Sequence, residues 1–424
     1  MRRPVLIATL LLSATALAGG WLLTRGPAPE QADPAGILLP EKPVGPAIVD
    51  IPLMSGSGTV LPVGNPDDSV LSADGVKAIE AFARSTGTTT LLVWQAGALR
   101  LESYAADGQA GDMLDGTGLV PGLMVLLTGQ ALRDGLIPGL DTGISTWIPE
   151  WAGDDRGRVT VRQLLEGSSG LDAPPVPPSG EAIAWTLSAS LSAEPGSRFS
   201  PHPFDAQVLS LVIARAAGVP VADYLADRLW RPIGARSAVL SGGSVDGGAY
   251  FHCCVRATAR DWLRLGLLML EGGSVGATNL VPTPWLDQMQ RPNVFSRHDG
   301  WRTRLGWPFE AKNGSGAKKP FVDADMIFWA GSDGARLYVS KGRDLVILRL
   351  GAPVADWDES ALPNLVSGAI VTPPAEFRSQ NGLSVRKAKD LNGRVEMPPI
   401  IKPPPVPKVT VEPLPPMENV GSKP

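Results

Sequence analysis

The pattern of apolar and polar positions divides the chain into four parts. After Met1-Arg2-Arg3, an apolar run from Val5 to Leu23 is broken only by Thr, Ser and Gly, and it lacks the polar face that a surface helix shows to water. The basic start, this run and Ala16-Leu17-Ala18 before Gly19 fit a secretory signal peptide; the length also suits a membrane span with Arg2 and Arg3 on the inner side. Residues 1–26 are therefore expected to be a signal peptide or an N-terminal membrane anchor. The rest is expected to be exported, to the periplasm or the outer face of the inner membrane, anchored or secreted. Residues 27–69 carry Pro29, Pro34, Pro40, Pro43 and Pro46 with few large apolar side chains, the composition of a Pro-rich linker. Residues 373–424 form a Pro-rich tail (Pro403-Pro404-Pro405, Pro415-Pro416), either a spacer or a ligand for the aromatic groove of a protein partner.

The folded body is expected between these arms, over residues 70–372. Ser72 suits the cap of a helix whose apolar positions Val76, Ile79 and Phe82 follow the 3.6 period. Thr90–Trp94 and Ala98–Ser103, either side of Gln95-Ala96-Gly97, predict a hairpin. Helices are predicted from Pro121 to just before Gly135, over Val161–Leu165, from about Phe204 to Ala217 with Gly218 as stop, over Val221–Trp230, and from a Thr258 cap through Leu270 to Gly272-Gly273. Met326–Trp329, Arg336–Ser340 and Leu345–Leu350 close the body as a strand meander. Strands at both ends around a helical middle imply one sheet built from distant parts of the chain, an α/β (α+β) fold.

Composition narrows the function classes. With 38 Lys and Arg against 42 Asp and Glu in 424 residues, the net charge of −4 gives no basic surface for nucleic acid. Apolar residues at 44% can fill a sizeable core. The two cysteines, Cys253 and Cys254, are adjacent, so they form no disulfide framework, and neighbours rarely pair; they are expected as small packing residues. His202, His252 and His298 stand apart in sequence, no metal-ligand spacing occurs, and no metal or cofactor is expected.

Several landmarks in order carry a resemblance. The hairpin Leu91–Glu102, the helix Leu123–Gly135, Ile148-Pro149-Glu150-Trp151, Val159–Leu165, Ser169-Gly170-Leu171-Asp172, Pro195–Phe199, Trp230–Gly234, Ala257–Asp261 and Asp344-Leu345-Val346 together resemble the β-lactamase-related serine hydrolases, a group including class C β-lactamases, penicillin-binding proteins and 6-aminohexanoate-dimer hydrolases. The resemblance covers roughly residues 70–370. It implies an antiparallel sheet flanked by helices plus a mostly helical subdomain, with the active site between them. It also implies a Ser-x-x-Lys motif at the head of a core helix, where the Lys one turn on takes the Ser proton, and a Tyr that passes it to the leaving group. Backbone N–H groups at the Ser and on an inner strand would stabilise the oxyanion.

This chain departs from that pattern at each side-chain position. Counting from Leu126-Leu127-Thr128-Gly129, the nucleophile falls on Gly118 and its Lys on Pro121; counting from Arg198-Phe199, the Tyr falls on Pro201 and its Asn or Ser partner on Pro203. Glycine has no hydroxyl, and proline has neither a base nor an N–H. The inner-strand motif survives in part as Ser332-Asp333-Gly334, which with His202 forms the expected ligand-contacting set. Ser315-Gly316-Ala317-Lys318 and Ser384-Val385-Arg386-Lys387 also spell Ser-x-x-Lys, but neither heads a buried apolar helix. The expectation is an exported protein of this fold without Ser-Lys-Tyr chemistry, a binding or scaffold protein in the cell envelope. Its cleft would hold a peptide-like or cell-wall-derived ligand, or be filled by Pro121 and Pro201; the alternative is an amide or ester hydrolase working through substituted groups such as His202 or Ser332.

Overall fold

A computed structural model describes residues 48–371, apart from 55–57, 66–69, 106, 176–180, 244–247, 291–301, 305–306, 310–316 and 332. The expected signal or anchor segment and the Pro-rich tail lie outside the described residues, as do both Ser-x-x-Lys serines and His298.

The centre is a seven-stranded antiparallel sheet. Its strands run in the order Arg302–Arg304, Trp307–Phe309, Ile327–Ala330, Arg336–Ser340, Leu345–Gly351, Thr88–Gln95 and Ala98–Tyr104, so the hairpin from the start of the body docks beside the closing meander. Period-2 alternation sends Leu91, Val93, Phe328, Tyr338, Leu345 and Ile347 to one face, where helices α1 (Ala73–Ser85) and, near the C-terminus, Ala361–Ala369 cover them. Leu92, Trp94, Leu337, Val339, Val346 and Leu348 join the larger core on the other face. Burial on both faces explains why these strands read as unbroken apolar runs.

The helical subdomain stands against that second core. Helix α2 (Val120–Arg133) is buried from Gly122 to Ala131, and Pro121 sits in its first turn, where an N–H has no intrahelical partner. Helix α3 (Val161–Leu165) opens with a capping box between Thr160 and Gln163. The short α4 (Ala182–Leu187) is followed by α5 (Pro203–Ala217), which ends at Gly218 in the left-handed conformation (φ 69°) that glycine adopts without penalty. Helix α6 (Val221–Leu225) runs on into a π-helical turn, Ala226–Trp230, and α7 (Ala259–Leu270) starts at Thr258, whose Oγ1 accepts the Asp261 N–H at 3.2 Å.

Part of the segment expected as linker belongs to the fold. Ile48–Met54 pairs along its length with Ser237–Gly243 at the edge of a four-stranded sheet, and Leu53 and Leu61 are buried. Its apolar alternation outweighs its proline content, because Pro52 lies on an edge strand, which needs fewer N–H donors.

Candidate functional site

The site forms where the start of α2, the start of α5 and the end of the Ile327–Ala330 strand meet. A cavity of about 380 Å³ opens there. Pro121, Pro201, His202 and Pro203 make its exposed rim, and Met124, Val125, Leu164, Leu165, Ala206 and Leu209 its buried floor. Trp329, also in the wall, is 2% exposed. Pro121 and Pro201 thus line the cleft without filling it.

Gly118 lies in the 3₁₀ turn Thr117–Leu119 that leads into α2. Its N–H donates to Asp333 Oδ2 at 2.8 Å, while Asp333 Oδ1 accepts the Ala335 N–H at 3.0 Å. A Cβ added at position 118 would overlap that carboxylate and lie 2.5 Å from Gly331 Cα, so the turn and the strand meet backbone against backbone. One turn further on, a Cβ at Gly122 would overlap the Trp329 indole. These contacts leave no room for a nucleophile side chain at position 118. They also occupy the Gly118 N–H with a carboxylate.

The residues expected to touch a ligand divide accordingly. His202 is at the cavity rim, where it caps α5: its Nδ1 accepts the Phe204 N–H at 3.1 Å, which leaves the proton on Nε2 in the neutral ring. Asp333 has both oxygens on backbone N–H groups and is outside the cavity wall. Gly334 faces away from it too, with its carbonyl accepting from Arg349 at 2.6 Å. Ser332 lies outside the described residues. Thr117 supplies the hydroxyl in the described wall, and its proton goes to Asp115 Oδ1 at 2.6 Å.

Asp205 belongs to the site although its sequence position gave little reason to include it. It sits in the first turn of α5, where an exposed acid would ordinarily face the helix dipole. Here it is 6% exposed and lines the cavity, with Oδ1 accepting the Ser169 hydroxyl at 2.5 Å and Oδ2 without a partner. Burial away from any paired cation pushes its pKa up to about 8, against hydrogen bonds from Ser169 and the backbone that pull it down. Glu166, also buried in the wall, lies 3.8 Å from Arg162.

This carboxyl makes stability pH-dependent. An unfolded Asp loses its proton near pH 3.9, whereas the folded protein keeps it to about pH 8, so the unfolded state binds fewer protons across that window and the Asp205 contribution to stability falls as pH rises. Urea midpoints at pH 5, 6.5 and 8 should show the advantage of the wild type over Asp205→Asn shrinking stepwise. A constant gap would contradict a protonated Asp205.

Near the rim, Cys254 donates its N–H to Thr117 Oγ1 at 3.2 Å. Contrary to the expectation for neighbours, Cys253 and Cys254 are joined in a disulfide. Cys254 has a left-handed backbone (φ 69°), uncommon for a residue with a Cβ, in the turn that brings both sulfurs to one side. A ring nitrogen of His252 lies within 4.8 Å of both sulfurs, but the disulfide withholds them from metal ligation.

A family model, the β-lactamase family, matches residues 122–351, more than half of the chain. The chain belongs to the β-lactamase family. The family match begins at Gly122, directly after the positions where Gly118 and Pro121 stand. Solved structures agree on the fold. A putative 6-aminohexanoate-dimer hydrolase from Bacillus anthracis superposes with a TM-score of 0.59 at 18% identity, covering 73% of this chain and 87% of its own. A family VIII carboxylesterase gives 0.57 at 14% identity, covering 72% and 98%. A penicillin-binding protein homologue from Caulobacter crescentus gives 0.56 at 13%, covering 72% and 97%. None of the curated proteins matches the sequence.

Proposed function

We propose that this β-lactamase-family protein has lost acyl-enzyme chemistry and uses its cleft to bind a small ligand without cleaving it. The observation that carries this is the clamp of Asp333 on the Gly118 N–H, with no room for a side chain at Gly118. Acyl transfer needs a nucleophile beside a general base and donors aimed at the developing oxyanion. At these positions stand a glycine without a hydroxyl, prolines without a base, and an anion where the negative charge would form. The open cavity beside them favours binding over a role as filler. We place this function outside the cytoplasm, in the cell envelope, with residues 1–26 directing export or anchoring and the Pro-rich tail available to a partner; the apolar run and the proline content support that placement.

The purified chain is expected to hydrolyse neither p-nitrophenyl butyrate nor a chromogenic cephalosporin above the uncatalysed rate. Turnover abolished by Thr117→Val or Ser332→Ala would overturn the proposal and identify a substituted nucleophile.

A further inference from the structure

The cavity floor bears a chemical preference of its own, separate from the missing catalysis. Its rim is formed by His202 and three prolines, the prolines contributing no N–H, and the nearby Gly118 N–H is already held by Asp333. Deeper in, the wall is apolar, with Met124 and the Phe199 and Trp329 rings among its aliphatic side chains, except for two carboxyl groups. Glu166 stands beside the Arg162 guanidinium. Asp205 has one oxygen bound by Ser169, and its other oxygen is buried and unpartnered. A buried polar atom without a partner carries a desolvation cost that a ligand removes by hydrogen bonding to it.

We infer that the cavity takes a neutral, largely apolar molecule with one carbonyl-type oxygen, and that the Asp205 carboxyl holds that oxygen. This rests on the non-hydrolytic binding proposed above and names its ligand class. The raised pKa of Asp205 fits the role, since a protonated carboxyl donates to a carbonyl. An ammonium ligand fits less well. It brings three donors to a floor whose unpartnered buried side-chain acceptor is Asp205 Oδ2, and it requires an ion pair to form in apolar surroundings. The volume of about 380 Å³ lies at the small end of ligand pockets, which run from roughly 300 to 1,000 Å³.

The test uses the full chain and prodan, a neutral naphthyl ketone whose emission reports an apolar site, with 1-naphthylmethylamine as the cationic competitor. The groups facing Asp205 are Ser169, Glu166 with its partner Arg162, and His202 at the rim, so each titration is repeated in His202→Gln to remove the imidazole. Prodan affinity should be steady up to about pH 7 and fall about tenfold or more by pH 9.5, as Asp205 loses its proton. Asp205→Asn keeps a donor and should bind with no such fall. Ala206→Leu, which puts a good helix-forming side chain into the floor, should weaken binding at least about tenfold while keeping a cooperative melt. Absent or pH-independent binding by the wild type, or stronger binding of the amine, would overturn the inference. If both variants unfold, the wild-type pH series decides alone. Failure of prodan to bind in a protein that also resists acylation would remove this ligand class and leave the non-hydrolytic function standing.

Discussion

Gly118→Ser will destabilise the protein by about 2.5–6 kcal/mol and will not make it reactive toward acylating reagents. The substitution restores the residue that the family chemistry needs, but its Cβ overlaps the Asp333 carboxylate and crowds Gly331. Overpacking of this kind costs about 1–3 kcal/mol, and displacing Asp333 from the Gly118 N–H removes a hydrogen bond to a charged group, about 1.5–3 kcal/mol more. The serine would also lack a base, since Pro121 stands one turn on. Chemical denaturation measures the first effect and intact mass after a fluorophosphonate the second. A stable Gly118→Ser variant that acylates would mean that the clamp yields easily and that the loss of chemistry is one residue deep.

Arg349→Met is expected to be similarly damaging, about 3–5 kcal/mol, and to loosen the clamp from behind. Arg349 is 1% exposed, and its guanidinium donates to the carbonyls of Thr86, Gly334, Gly351 and Ala352 and to Thr88 Oγ1, at 2.6–3.1 Å. Methionine preserves much of the volume but leaves the buried Gly334 carbonyl unpaired, at about 1–3 kcal/mol when nothing relaxes, and strips the partner from the half-buried carbonyls of Thr86, Gly351 and Ala352. Because Gly334 follows Asp333, the same loss frees the turn that positions the carboxylate. The measurement is the denaturant midpoint, read with amide exchange at Gly118: faster exchange there together with lower stability connects Arg349 to the clamp, and unchanged exchange separates the two.

Much of the fold was legible because its signals are local. The Thr258 cap, the Gly218 stop and the Gln95-Ala96-Gly97 turn act within a few residues of themselves, and the expected helices and strands appear around them. That Gly118, Pro121, Pro201 and Pro203 carry no hydroxyl and no side-chain base could be read from residue identity alone. What packs against Gly118 could not. Asp333 meets Gly118 across 215 residues of sequence, so a side chain expected to touch a ligand instead holds the turn at the head of α2. Asp205 looks like an ordinary first-turn acid until packing buries it in the cavity wall, and the Cys253–Cys254 bond depends on a backbone conformation that sequence does not announce. The strand Ile48–Met54 hid in proline-rich surroundings because its partner, Ser237–Gly243, lies far along the chain.

The most direct test of the central claim is covalent labelling of the purified wild-type protein, with fluorescent penicillin and a fluorophosphonate, read by intact mass on a sample that melts cooperatively. The clamp of Asp333 on Gly118 predicts no adduct with either reagent at neutral pH. A stoichiometric adduct mapped to one side chain, such as Thr117 or Ser332, would contradict it and name the nucleophile of a working enzyme.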